Sequence, residues 1–491
     1  MRNKPVVAAT LTFNLGVMWA AQVPAQAAPT PIVVTVGATP VSPLAINYGY
    51  DIKDESRQGQ LSSSGAPTQL AKELFAVDGD GPGAGPFSST PFQEIRIPVD
   101  AYLGLSAQNN STYATIIADV KAARAVNPNV KIYADLKIPP STFNCGVYSD
   151  PDSCEFGGVA AGSTFANSYA QILLAFLKVF HSNGIGAQQL GVLCEVRLSH
   201  LTHMAGQPDT SSGYETAYAS IINALTPLIQ GDPSGVSVPA YVAPNQKWST
   251  DGDQSWDPPF VQNVSAATVN IGGQHFYSNQ RPNETTDFRT FATDAINTRG
   301  STFRLWDTEF HWNVQDANGN PYPTLFKEAQ VGMYSLFNNF DDKYSGLDWW
   351  EFNPCAVSTQ PGCTTTNADL MTQFVNSTAG GFDLTPPSDV DGTGISDPGF
   401  ATRAFLQGST YKLWIVNDSS TTGYINQEVL PSSGTVTASS PSCRGWSLNA
   451  TTGVWARNPA MQPCTIATDQ RGINLPTIPA DSVTLVSFTV S

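Results

Sequence analysis

Residues 190–196 read LGVLCEV, an apolar run that ends in Glu195 where a strand would give way to a loop. Residues 303–309, FRLWDTE, repeat the arrangement and end in Glu309. A carboxylate directly behind a buried strand is costly unless it is paired or used. Either acid alone could be an ordinary surface residue, but two at equivalent strand ends indicate a shared site.

These two runs belong to a longer series of apolar runs, with amphipathic helical stretches between several of them. The predicted strands cover 45–50, 94–99, 131–136, 190–196, 238–242, 269–276, 303–308 and 347–352. Helical patterns cover 113–126, 163–181, 214–229 and 325–340. Eight such strands over about 300 residues predict an α/β fold, a (β/α)8 TIM barrel. A doubly wound sheet is the alternative, but no glycine-rich phosphate-binding motif follows the first strand.

The pattern changes after residue 380, where helical periodicity ends. Short runs rich in Thr and Val, separated by Gly, Pro, Ser and Asn, predict an antiparallel β-sandwich; they cover 402–406, 411–416, 434–439 and 482–490. Run 31–36 precedes the barrel and could pair into the same sandwich. We expect a signal peptide over 1–27, an N-terminal strand over 28–44, a catalytic barrel over 45–375 and the sandwich domain over 376–491.

The N-terminus predicts secretion to an extracellular or periplasmic location. Arg2 and Lys4 precede an apolar run over 5–21, and Ala-Gln-Ala at 25–27 fits the small-x-small cleavage pattern. A membrane anchor is the alternative, but the run is short for a bilayer and contains polar residues. No later stretch predicts a membrane span.

Composition narrows the classes of partner. The formal net charge is −16, so an acidic surface would repel phosphate backbones, and we expect no nucleic-acid partner. The 24 Phe, 16 Tyr and 10 Trp supply material for a core and argue against disorder. The oligomeric state does not follow from the sequence.

Six of the seven cysteines fall into sequence-local pairs, 145/154, 355/363 and 443/464, typical of stapled loops in an oxidising compartment. Cys194 is left alone. Metal-site spacing such as C-x-x-C is absent, and we expect no metal and no cofactor.

Residues 388–397 are acidic and could be a calcium loop, but they lack the distal Glu, which favours a solvated linker.

Two carboxylates across one cleft are what glycoside hydrolysis requires. One must stay protonated to give a proton to the leaving oxygen, and the other must stay ionised to attack or to activate water. A carboxyl separation of ~5–5.5 Å implies a covalent intermediate and retained stereochemistry.

Five short motifs and a C-terminal segment carry a family resemblance. They are IRIP (95–98), KIYADLKIPP (131–140), QHFY (274–277), WDTE (306–309), WW (349–350) and residues 475–485. In this order they resemble a retaining glycoside hydrolase of clan A, and the chain is most similar to glycoside hydrolase family 30. The resemblance covers residues 30–491, because that family also pairs a barrel with a C-terminal sandwich that contains an N-terminal strand.

The resemblance implies a secreted retaining β-glycosidase that acts on polysaccharide or glycoconjugate. It makes Glu195 the acid/base and Glu309 the nucleophile, with Arg96 helping to keep Glu309 ionised. His275 or Tyr277 would hydrogen-bond near that carboxylate. Sugar rings could stack on a tryptophan, or each tryptophan could lie in the core; the candidates are Trp306, Trp312, Trp349 and Trp350.

The chain departs from the clan at two positions. Cys194 stands where the clan has an Asn that contacts the sugar 2-hydroxyl, and Val196 replaces the usual Pro. A thiol is a poor donor, so a carbohydrate-binding protein without catalysis is the alternative function. A structural cell-surface protein is a weaker one. A catalytic Cys194 would need a base such as His200, His203 or His275.

Overall fold

The computed structural model describes residues 33–53, 57–75, 92–101, 104–105, 109–137, 155–156, 159–194, 204–208, 210–247, 269–279, 282–350, 367–384, 388–389, 400–418, 428–431, 434–436, 441–448, 455–458, 464–468, 471–475 and 478–490. Its helices are Gln69–Phe75, Ala114–Val126, Phe165–Ser182, Ser211–Gly231, Pro282–Arg299, Leu325–Asp341 and Ala368–Thr378. Two short antiparallel hairpins pair Ser62–Ser63 with Ala66–Pro67 and Glu155–Phe156 with Val159–Ala160.

Eight strands close into a parallel barrel, each paired with the next along the chain and the last with the first. In chain order these barrel strands are Asn47–Asp51, Glu94–Val99, Lys131–Leu136, Gln189–Gly191, Ala240–Lys247, Ile271–His275, Arg304–Phe310 and Gly346–Trp349. We refer to them as barrel strands one to eight. Helices follow most of them along the chain, so the predicted TIM barrel is confirmed.

Glycines on the barrel strands make room for large inward side chains. A Cβ on Gly346 would overlap the Trp306 indole of the neighbouring strand. A Cβ on Gly49 would overlap the carboxyl group of Asp348. The glycines therefore let polar and aromatic side chains fill part of the barrel interior. The candidate site lies above these side chains.

The second domain is a sandwich of two sheets. The order in the first sheet is Ser388–Asp389, Val33–Val36, Glu428–Pro431, Ile473–Asn474 and Thr465–Ile466. The order in the second is Phe382–Asp383, Phe400–Gln407, Thr410–Asn417, Ser482–Thr489, Ser442–Leu448 and Trp455–Asn458. Pairing is antiparallel except between Val33–Val36 and Glu428–Pro431. A shared core of residues such as Val34, Val36, Leu413 and Phe488 lies between the sheets, and the predicted β-sandwich is confirmed.

The opposite face of the second sheet packs on the barrel. Trp414 stacks on Trp446 and contacts Phe374 of helix Ala368–Thr378. The Trp414 indole N–H donates to Ser377 Oγ at 3.0 Å. Aromatic packing and a satisfied indole donor therefore join the two domains.

Several predicted elements differ from the structure at their ends. The predicted strand 238–242 is Ala240–Lys247, because pairing with Ile271–His275 continues past Pro244 through a register shift. The predicted strand 434–439 is wrong over its described part, where Val436 forms only an isolated bridge with Val490 and Gly434 has a positive φ. Of the described helices, none is long and apolar enough to cross a membrane.

The predicted cysteine pair 443/464 is confirmed as a disulfide. It joins a strand of the second sheet to the segment that enters Thr465–Ile466 of the first. The pairs 145/154 and 355/363 and the predicted signal peptide lie outside the described residues.

Candidate active site

Buried polar side chains gather at the carboxyl ends of barrel strands one to seven. We call this group the strand-end cluster; it consists of Asp51, Lys53, Arg96, Asp135, Cys194, Asn245, His275, Tyr277 and Glu309. Each is at most 8% exposed. Because the strands are parallel, their carboxyl ends meet on one face of the barrel, and that face carries the sites of enzymes with this fold.

The Glu309 carboxylate receives partners at both of its oxygens. Oε1 lies 2.8 Å from Arg96 Nη1 and 3.4 Å from Lys53 Nζ. Oε2 accepts a 2.6 Å hydrogen bond from the Tyr277 hydroxyl and lies 3.1 Å from His275 Nδ1. The structure thus brings together four of the residues predicted from the sequence, Glu309, Arg96, His275 and Tyr277, and adds Lys53.

These partners set the ionisation of Glu309. Burial alone would raise its pKa, but the charges of His275, Lys53 and Arg96 hold the pKa well below the usual range for a glutamate. A buried carboxylate with this many cationic donors stays ionised at neutral pH. It is a fixed negative charge at the mouth of the barrel.

Arg96 is fully buried and is held by carboxylates on either side. Its Nε donates to Asp135 Oδ2 at 3.0 Å, and Nη1 donates to Asp51 Oδ2 at 2.7 Å. Burial opposes the charge of Arg96, but Asp135, Asp51 and Glu309 raise its pKa well above the usual value. Burial also raises the pKa of Asp51, against the opposite pull of Arg96 and Lys53. Arg96 therefore sits in one position relative to Glu309.

Asn245 fixes the orientation of His275. Its Nδ2 donates to Asp135 Oδ1 at 2.7 Å and to the Leu193 carbonyl at 3.1 Å, so its Oδ1 faces the His275 Nε2 at 3.1 Å. The other ring nitrogen of His275 faces Glu309. Both ring nitrogens therefore face side-chain oxygens, which holds the ring in one orientation.

Cys194 is a buried free thiol at the centre of the cluster. Its Sγ lies 3.0 Å from Lys53 Nζ, 3.7 Å from Arg96 Nη2 and 4.0 Å from His275 Nε2. Burial, followed by Asp135, raises the pKa of the thiol despite Lys53 and His275. His275 Nε2 lies closer to Asn245 Oδ1, at 3.1 Å, than to the Cys194 thiol, so Asn245 competes with Cys194 for this nitrogen. His200 and His203 lie outside the described residues.

The predicted tryptophan platforms separate into two groups. Trp306, Trp312 and Trp349 are buried, at 3%, 6% and 1% exposed, which favours the alternative that each lies in the core. Trp306 fills the barrel interior beside Tyr133, and Trp312 donates to Glu328 Oε1 at 3.2 Å. Trp350 is partly exposed, and its ring lies 5.7 Å from that of Tyr277 and 5.0 Å from that of His311.

Four members of the cluster were not predicted as site residues: Asp51, Lys53, Asp135 and Asn245. The sequence did carry a signal for Asp135, because an acid within the apolar run 131–136 is costly unless it is paired or used. The same argument was applied to Glu195. Asn245 carried no signal, because its role depends on a positive φ of 58° that turns its amide toward Asp135. Glu195 follows Cys194 directly in the chain and lies outside the described residues.

No protein-family model and no curated protein sequence matches the chain. Solved structures do. A family 30 endoxylanase from Clostridium papyrosolvens C71 has 15% identity and a TM-score of 0.58, covering 93% of this chain and 100% of its own. The catalytic domain of family 30 xylanase C from Talaromyces cellulolyticus has 14% identity and a TM-score of 0.55, with the same coverage.

An endo-β-1,6-glucanase has 14% identity and a TM-score of 0.57, covering 94% of this chain and 94% of its own. At these identities the likeness concerns the fold and leaves the chemistry to be argued from the site. The chain thus has the barrel-plus-sandwich fold of the solved family 30 glycoside hydrolases, and the resemblance predicted from the sequence is confirmed at the level of the fold.

Proposed function

We propose that the protein is a secreted retaining β-glycoside hydrolase that acts on polysaccharide or glycoconjugate. The observation that carries this proposal is the state of Glu309, an ionised carboxylate held by Arg96, Lys53, His275 and Tyr277 at the end of barrel strand seven. A glycosidase nucleophile must be ionised, and it must be held in one geometry to attack.

In the proposed mechanism Glu309 attacks the anomeric carbon while Glu195 donates a proton to the leaving glycosidic oxygen. An ester bond forms between the sugar and Glu309 as the glycosidic bond breaks. Glu195, now ionised, takes a proton from water, which attacks the same carbon and releases Glu309. The low pKa of Glu309 suits it to both attack and departure.

The remaining assignments are part of the same proposal. Arg96, His275 and Tyr277 would orient the nucleophile, and Trp350 would offer the ring face that a sugar packs against. Residues 1–27 would direct secretion, residues 45–375 would form the catalytic barrel, and residues 28–44 with 376–491 would form the sandwich. The disulfide Cys443–Cys464 supports an oxidising compartment.

Two of the solved structures are named as xylanases and one as an endo-β-1,6-glucanase. We propose β-linked xylan or glucan as the substrate class of this chain. A carbohydrate-binding protein without catalysis is the second candidate, and the observation that favours it is the thiol of Cys194 beside the position of the proposed acid/base.

A panel of 2,4-dinitrophenyl β-glycosides of glucose, xylose, cellobiose, xylobiose and gentiobiose tests the proposal. We expect turnover of at least one member, and a fall of about 10⁴-fold or more with Glu309→Gln, since the covalent route is then closed. The matched control is Glu328→Gln, which changes a partly buried glutamate on helix Leu325–Asp341 that bonds Trp312 and Asn367. Full activity of Glu309→Gln overturns the nucleophile assignment. Sugar binding by calorimetry without any turnover supports the second candidate.

A further inference from the structure

Lys53 lies at the centre of the strand-end cluster although it follows barrel strand one by two residues. Its backbone N–H donates to Asp51 Oδ1 at 2.6 Å, which fixes the chain at this point. Its ammonium lies 3.0 Å from Cys194 Sγ, 3.3 Å from Asp135 Oδ2 and 3.4 Å from Glu309 Oε1. Lys53 is 7% exposed and Glu309 is 5% exposed, so the two groups are exposed to a similar small extent.

An ammonium group carries three N–H donors. Within the described residues Lys53 donates two of them, to Asp135 and to Cys194. Its approach to Glu309 is an ion pair at 3.4 Å that lacks the geometry of a hydrogen bond. Among the described residues, one of the three N–H groups of Lys53 is therefore left for a ligand.

The other donors that surround Glu309 are already used. The Tyr277 hydroxyl donates to Glu309, and both ring nitrogens of His275 face acceptors. Both amide N–H groups of Asn245 donate to Asp135 and Leu193. Arg96 is fully buried and is shared among three carboxylates. In the described part of the cluster, the spare donor belongs to Lys53.

The position of that donor relates it to one atom of the substrate. A reacting anomeric carbon sits about 3–3.5 Å from the attacking oxygen. The hydroxyl on the adjacent carbon 2 therefore lies at a distance from Glu309 similar to that of Lys53 Nζ. Hydrogen bonds to this hydroxyl strengthen in the transition state of glycoside hydrolysis. The neighbouring Cys194 thiol is a weak donor and does not compete for it.

We infer that Lys53 donates a hydrogen bond to the 2-hydroxyl of the sugar that reacts at Glu309. This inference rests on the proposed function. It makes Lys53 a substrate-contacting residue that acts chiefly in the transition state, in addition to its ion pair with the nucleophile. It also explains why a cation lies beside Cys194, the residue before the proposed acid/base Glu195, which supplies only a thiol.

The test compares two substrates, because removing Lys53 also changes the charge beside Glu309. The probes are the panel member with the highest kcat/KM and its 2-deoxy counterpart. For wild type we expect a preference for the 2-hydroxyl substrate of about 10- to 100-fold in kcat/KM, the range for a hydrogen bond to a charged group. In Lys53→Met this preference should fall toward unity, mainly in kcat. Lys178→Met, which removes a lysine from an exposed ion pair with Asp232, should keep the wild-type preference.

Far-UV circular dichroism and thermal unfolding establish that the variants fold. If Lys53→Met does not fold, Lys53→Gln replaces it, since its shorter amide cannot reach the same point. An equal loss on both substrates overturns the inference and leaves Lys53 as a support for the charge of Glu309. Absence of turnover by wild type on every panel member overturns the proposed function, and the inference with it.

Discussion

Gly191 leaves the space that the Asp135 carboxylate fills. A Cβ at Gly191 would overlap Asp135 Oδ1 and would also press on the Tyr133 hydroxyl and Asn245 Nδ2. Asp135 in turn binds Arg96, which binds Glu309. The missing side chain on barrel strand four therefore sets the position of the proposed nucleophile through two intervening residues.

Gly191→Ala should destabilise the fold by about 1–3 kcal/mol, the usual cost of overpacking a close-packed interior. Activity should fall as well, because Asp135 must move away from Arg96. Urea unfolding and kcat/KM on the glycoside panel measure the two effects. Gly231→Ala is the control, since a Cβ there meets nothing within 4 Å. Equal stability of the two variants would show that Asp135 does not occupy the space beside Gly191.

Tyr277→Phe should shift the pH dependence of catalysis. The hydroxyl gives Glu309 Oε2 a 2.6 Å hydrogen bond that favours the ionised carboxylate, so its loss raises the pKa of Glu309. The acid limb of the kcat/KM profile, which reports ionisation in the free enzyme, should move to higher pH. Tyr334→Phe removes a hydroxyl that donates to Asp418 and should leave the profile unchanged. An unmoved acid limb in Tyr277→Phe would mean that Glu309 does not govern it.

Arg96→Met and Arg457→Met should differ sharply in stability, although each removes an arginine from an ion pair. Arg96 is fully buried, and its loss leaves Asp51 and Asp135 without their main partner, at a cost of about 3–5 kcal/mol. Arg457 pairs with Asp369 at the surface, where such pairs contribute about 0–1 kcal/mol. Urea unfolding compares the variants. Similar losses would contradict the buried network.

The barrel could be predicted from the sequence because its strands are buried on both faces and form continuous apolar runs. Glu94–Val99 and Lys131–Leu136 agree residue for residue with the predicted ranges. Barrel strand five could not be placed as well, since Pro244 suggests an end that the register shift overrides.

Arg96 and His275 could be proposed as site residues because they lie in the strand motifs that carry the family resemblance. Lys53 could not, because its role depends on contacts with Asp135, Cys194 and Glu309, which are distant in the chain. For Trp306 and Trp349 the sequence left both alternatives open, because residue type does not tell whether an aromatic ring faces a cleft or the core.

Asp342 should make the protein less stable as pH rises from about 4.5 to 7. Burial raises its pKa from 3.8 to about 6, against the pull of Arg289 and with a smaller contribution from Asp341. In this interval the unfolded chain has already released the proton that the folded protein still holds, so ionisation of Asp342 favours the unfolded state. The contribution of Asp342 to the unfolding free energy should fall by about 2 kcal/mol between about pH 4.5 and 7.

The check is the difference in unfolding free energy between wild type and Asp342→Asn, measured by urea unfolding across that interval. The substitution removes the titration and keeps the side-chain volume, so the difference should fall as pH rises and level off above the folded pKa. Asp232→Asn is the control: hydrogen bonds from Ser234 and Lys178 lower the pKa of Asp232 to about 2, so its titration lies below the interval. A difference for Asp342→Asn that rises with pH would show instead that the ion pair with Arg289, whose Nε lies 2.9 Å from Asp342 Oδ1, outweighs burial.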